Sequence, residues 1–149
     1  MNELKKELPT SSLWEQIFKA SSVYEIYRQP DNETEMPTFS EYISSLCKQR
    51  GKVPERIIKK ANIERTFGHA IFRGDRKPSR NTVLQLAFGF DADIQLAQSL
   101  LKHAGHSALY PRVPRDAVIS YCLHNHISFI NTQQILLELG LPLIGGSMK

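Results

Sequence analysis

Val53-Pro54-Glu55-Arg56-Ile57-Ile58-Lys59-Lys60-Ala61-Asn62-Ile63-Glu64-Arg65-Thr66-Phe67-Gly68-His69-Ala70-Ile71-Phe72-Arg73-Gly74-Asp75-Arg76-Lys77-Pro78-Ser79 carries two short apolar periods joined by a turn. Pro54 suits a first-turn position, where its missing N–H is no loss, and Ile57, Ile58 and Ala61 give the first helix a buried side. Asn62 tolerates the left-handed backbone that a sharp turn requires. Ile63 leads into a second helix that runs through Phe72 and closes at Gly74. From Val53 to Arg73 this is the size of a helix-turn-helix unit.

On a helical wheel, Ile63, Phe67, Ala70 and Ile71 gather on one side and define the buried face of the second helix. Phe72, Arg65 and His69 fall opposite, flanked by Thr66, Gly68 and Arg73. Arg can bind guanine bidentately in the major groove, His and Thr can donate to bases or phosphates, and Gly admits close backbone approach. Arg73, Arg76, Lys77 and Arg80 lie in and after the closing turn, where they are expected to reach phosphates and set register. The candidate DNA-binding residues are therefore Arg65, Thr66, Gly68, His69, Arg73, Arg76, Lys77 and Arg80. Glu64 reads as a cap that favours the helix dipole, and Phe72 is expected to pack under the following helix.

Charge supports the same region. Residues 38–80 hold 11 Lys/Arg against 4 Asp/Glu, a net +7, while residues 1–37 are net −3 and residues 81–149 are neutral. A block this basic is the electrostatic footprint of a nucleic-acid contact, and it is equally the footprint of a solvated basic face.

The quoted segment resembles the helix-turn-helix of the Cro/CI-type (XRE) family of bacterial and phage regulators. The likeness covers about residues 38–104, and its strongest part is Arg73-Gly74-Asp75-Arg76-Lys77-Pro78-Ser79, similar to the family's Arg-Gly-Lys-Arg-x-Pro-Ser. Asn62 stands where the family usually has glycine, Glu64 replaces a Ser or Thr cap, Pro54 replaces a phosphate-contacting Gln, and Gly68 stands at a usually buried Ile. The resemblance implies a lambda-repressor-like five-helix DNA-binding domain. It also implies a sequence-specific transcriptional regulator whose recognition helix, about Glu64–Phe72, enters the major groove of double-stranded DNA.

Helical spacing recurs almost throughout and alternating β-branched runs are absent, so the chain reads as all-α. Its expected division is residues 1–37, short helices and an acidic linker; residues 38–104, the DNA-binding domain; and residues 105–149, a C-terminal helical extension. Ser12-Leu13-Trp14-Glu15 is a candidate capping box, and Ser21-Ser22 restarts a second short helix with Val23, Tyr24 and Tyr27. The acidic stretch from Gln29 to Pro37 is bounded by prolines and reads as the linker. Phe39, Tyr42, Ile43, Leu46 and Cys47 mark one face of a helix ending at Gly51; Ser79 and Asp91 are candidate caps of the next helices. Two further helices, about Arg115–Asn125 and from Ser128 to before Gly140, complete the chain.

A neutral apolar tail beside a basic reader suggests a homodimer, with Tyr121, Cys122, Ile135, Leu136, Leu139 and the N-terminal Trp14, Ile17 and Phe18 as candidate surface. The other use of these helices is to complete the core or meet a protein partner. An alternative reading from another class is thus an adaptor that kept the fold but does not depend on DNA. His103, His106, Cys122, His124 and His126 do not share one helical face, so no metal is expected, and no cofactor or catalytic motif is found. The charged N-terminus, the two separated cysteines and the lack of a long apolar run point to a cytoplasmic protein without a membrane segment.

Overall fold

The computed structural model describes residues 10–27 and 37–145, in two compact units, Met1–Met36 and Pro37–Lys149. Among the described residues all regular structure is helical, and no helix is long and apolar enough to cross a membrane.

In the first unit, α1 spans Thr10–Lys19 and α2 spans Val23–Tyr27. The expected capping box at Ser12 does not form, because the helix already begins at Thr10 and Ser12 lies inside its first turn. The reciprocal arrangement occurs one helix later: Ser22 Oγ accepts from the Glu25 N–H at 3.3 Å while the Glu25 carboxylate accepts from the Ser21 N–H at 3.1 Å. Trp14 and Phe18, one turn apart, stack with centroids 5.7 Å apart, and both stay exposed with Val23, Tyr24 and Tyr27. The expected linker, apart from Pro37, lies outside the described residues.

The second unit holds α3 (Phe39–Gln49), α4 (Pro54–Lys60), α5 (Arg65–Arg73), α6 (Arg80–Gly89), α7 (Ile94–His103), α8 (Pro114–His124) and α9 (Phe129–Glu138). Thr38 and Glu41 form a capping box on α3, Pro54 and Pro114 open α4 and α8, and Ser79 and Ser128 cap α6 and α9. The cap of α7 is Asp93 and not Asp91: Asp93 accepts from the Leu96 N–H at 2.8 Å, whereas Asp91 takes φ 56° in the turn itself. Two residues are needed to reverse the chain after Phe90 before a new helix can start.

Helix α6 is the spine, burying Val83, Leu84, Leu86, Ala87 and Phe88 against α4, α7 and α9. Gly89 permits the crossing with α4, since a Cβ there would stand 2.5 Å from the Ile57 carbonyl oxygen. Residues 105–145 share this core: Ile119, Cys122, Leu123, Phe129, Leu136 and Ile144 are buried in the same cluster as Ile43, Ile57 and Leu100. Cys122 and Leu136, expected as assembly surface, are fully buried; Tyr121 and Leu139 are exposed and Ile135 is half-buried. An amphipathic helix presents only one stripe to a partner, and here its own domain takes that stripe.

Polar clamps fix the loops of this segment. Gln98 donates to the Leu109 carbonyl and accepts from the Leu109 N–H, at 2.9 and 2.8 Å, and Gln133 makes the same pair with Ile144, both at 2.8 Å. Arg115 donates to the carbonyls of Pro142 and Leu143 and to Asn81 Oδ1, each at 2.8 Å.

Candidate nucleic-acid interface

The turn between α4 and α5 is built from four consecutive residues with separate jobs. Ala61 ends α4, Asn62 takes φ 60°, the Ile63 N–H donates to the Ile58 carbonyl at 3.1 Å, and Glu64 caps α5. Gln85 of α6 donates to the carbonyls of Ala61 and Asn62, both at 3.2 Å, and so ties the turn to the spine. Glu64 accepts from the N–H groups of Thr66 and Phe67 at 2.9 Å each, and these two backbone donors hold its carboxyl below the usual carboxylate range.

Helix α5 packs against both α3 and α4, so its buried arc is wider than a single-sided wheel suggests. Ala70, Ile71 and Phe72 are buried, and Ile63 and Phe67 are half-buried. Phe72 is therefore buried and does not belong to the outer face. Gly68, expected on the DNA-facing side, is also buried: a Cβ there would meet the Ile58 side chain at 2.5–2.9 Å. The branched Ile58 fills the space that a side chain at position 68 would need, so Gly68 is a packing glycine and does not offer its backbone to a ligand.

The remaining outer residues divide by what already holds them. Arg65, Thr66 and Arg73 are exposed and His69 is about one-third exposed. Arg65 Nε donates to both Glu55 carboxylate oxygens, at 3.1 and 3.0 Å, and His69 Nε2 donates to Glu55 Oε1 at 2.7 Å. Donation from His69 first, and from Arg65 second, holds the Glu55 carboxyl below its usual range. Arg73 pairs with Asp75 at 3.0 Å across the turn closed by Gly74, whose φ is 88°. Arg76 and Lys77 are exposed and make no ion pair among the described residues.

Arg80 is not available to a phosphate in the way the charge count suggests. Its guanidinium donates to the carbonyls of Ser107 and Ala108 at 2.9 and 3.0 Å and pairs with Asp116 at 3.1 Å. Asp116, only 7% exposed in its side chain, also accepts from the Tyr110 N–H at 3.0 Å. Arg80 thus anchors the loop before α8 to the start of α6.

Two features escaped the sequence reading. Glu55 had no assigned role, because only the folded turn brings α4's first turn within reach of positions 65 and 69. Lys52, Arg56, Lys59 and Lys60 were counted in the +7 but not located; with Ile57 and Gly89 they line an open groove of about 460 Å³ on α4. The histidines and cysteines are dispersed: His103 stacks on Tyr42, with centroids 3.8 Å apart, His106 donates to the Pro78 carbonyl, and Cys47 and Cys122 are buried free thiols. Among the described residues no three His, Cys, Asp or Glu side chains gather where one metal ion could be held.

No family model matches the chain, and no curated protein or solved structure does.

Proposed function

We propose that the chain is a sequence-specific double-stranded-DNA-binding transcriptional regulator of the XRE type, with α5 entering the major groove. The observation that carries this reading is the outer side of α5. Arg65, Thr66 and His69 stand on a short helix whose other sides are anchored by α3 and α4, and the exposed cations Arg73, Arg76 and Lys77 follow at its end. A rigid helix with base-reading groups and flanking phosphate binders is what groove recognition needs. Arg65 and His69 are assigned to bases, Arg76 and Lys77 to phosphates. A second copy is the expected partner, since one recognition helix covers only a few base pairs.

An adaptor that binds protein instead is favoured by one observation: Trp14, Phe18 and Tyr27 in the first unit, and Ile130 and Leu137 on α9, are large apolar residues left exposed.

Binding to an unbiased duplex library as a function of salt decides between them. Arg76→Ala and Lys77→Ala should each flatten the slope of log affinity against log salt by about 0.9, without changing the preferred sequence. Arg65→Ala should change the preferred sequence, at about 1–3 kcal/mol against the cognate site. Absence of duplex binding at low salt would hand the lead to the adaptor.

A further inference from the structure

Glu55 is an acid placed where the reading above puts phosphate and base contacts, and a carboxylate there repels DNA. Its helix does not need it for an end cap, because α4 opens on Pro54 with Val53 in the capping position and no side-chain cap bond. What the carboxylate does instead is collect two donors from the neighbouring helix, one from the first turn of α5 and one from the next turn. Arg65 meets it through Nε alone, bridging both oxygens, so the two terminal nitrogens of the guanidinium are not used by this contact. Those terminal nitrogens are the pair that can take guanine O6 and N7 together. His69 donates from Nε2 to the same carboxylate, so one acid holds both side chains.

We propose that Glu55 is a specificity-determining positioning residue, which holds Arg65 and His69 as one pre-formed unit and presents Arg65 end-on to a guanine. The inference rests on α5 being the DNA-reading helix. An unsupported arginine has many rotamers and reaches phosphates and several base edges alike; a guanidinium fixed along its Nε edge has one direction left. The acid also lowers attraction to DNA at large. It therefore weakens binding to arbitrary sequence while sharpening the choice among sequences, the division expected of a group that selects partners by repulsion as well as by contact.

The test compares the wild-type chain, Glu55→Ala and Arg65→Ala on a randomised duplex library. Wild type should show a guanine preference at one position that Arg65→Ala abolishes. Glu55→Ala should reduce that same preference by about tenfold while binding to random duplex is unchanged or tighter. In the Glu55→Ala/Arg65→Ala double variant no further loss should appear at that position. A merely structural role for Glu55 would weaken all duplexes in proportion and leave the base preference untouched, and that result overturns the proposal. Tighter binding with an unaltered preference overturns it too, leaving Glu55 as a simple repulsive charge. A wild-type chain that binds no duplex at low salt overturns the DNA reading and this inference together, an outcome distinct from the other two.

Discussion

The helix pairs α4–α5 and α8–α9 are built on the same turn. Each opens on Val-Pro, ends its first helix in a residue followed by a left-handed one, Asn62 at φ 60° and His126 at φ 57°, and continues with an isoleucine and a cap. In each, the isoleucine N–H donates back to a carbonyl five residues earlier, Ile63 to Ile58 at 3.1 Å and Ile127 to Cys122 at 2.9 Å. Their solvent faces differ. Helix α5 shows Arg65, Thr66 and Arg73, while α9 shows Ile130, Asn131, Gln134, Leu137 and, at its end, Glu138. One backbone design thus supports a cationic surface and a partly apolar one without cations, so the functional reading has to come from the side chains each pair leaves outside.

The pairs are also held differently, and the largest expected effect comes from loosening the second. Arg80 joins the start of α6 to α8 through Asp116, which is nearly buried. Removing one partner of such a pair strands the other charge, so Arg80→Ala should lower unfolding free energy by about 3 kcal/mol in urea denaturation. Hydrogen exchange should accelerate in α8 more than in α5. Equal acceleration in both pairs would show that Arg80 supports the core as a whole, and an unchanged midpoint would show that the ion pair contributes nothing net.

The next effect is specific to the first pair. The fourth residue after the cap is buried in both second helices, Gly68 in α5 and Thr132 in α9. Only at Gly68 would a side chain collide with its partner helix, through Ile58. Gly68→Ala gains about 1 kcal/mol of helix propensity and meets an overpacking cost of about 1–3 kcal/mol, so a net loss of about 1 kcal/mol is expected. In an Ile58→Ala background the clash is gone and the same substitution should stabilise. A double-mutant cycle measures this reversal of sign; additive effects would mean that α4 and α5 adjust freely.

These residues also mark how far the sequence could be read. The helices and most of their ends were legible because their signals are local: Pro54, Ser79 and Ser128 act on the backbone within three residues, and Gly74 supplies a left-handed stop. Local signals fail where they are degenerate, as with Asp91 and Asp93, two acids a turn could use either way, or with Ser12, a good cap residue bypassed by an earlier helix start. For the site, exposure of Arg65, Thr66, His69 and Arg73 followed from helical periodicity. Gly68 and Arg80 were misplaced because what decides them, Ile58 and Asp116, lies 10 and 36 residues away in the chain. Glu55 was missed for the same reason: nothing in its neighbours announces a contact with positions 65 and 69.

The smallest expected effect separates the two pairs by the chemistry of their caps. Helix α5 is capped by a carboxylate, Glu64, and braced by a second, Glu55; α9 is capped by the hydroxyl of Ser128, which accepts from the Asn131 N–H at 3.1 Å and does not titrate in acid. Glu64 is lowered chiefly by the amides of Thr66 and Phe67, and Glu55 by His69 and then Arg65. A carboxyl whose folded-state pKa lies below its unfolded value binds fewer protons in the folded chain. Its stabilisation is then fully present above the unfolded pKa and is lost as pH falls through the folded one. Acid should therefore release the first turn of α5 while the first turn of α9 stays closed. Followed by NMR, the Thr66 and Phe67 amide protons should shift with a midpoint below the ordinary carboxylate range, and the Asn131 amide should not move in that window. A midpoint at the ordinary value would mean that Glu64 is not held by those amides in solution. Joint movement of all three would mean that acid loosens the whole unit and that the caps do not distinguish the two pairs.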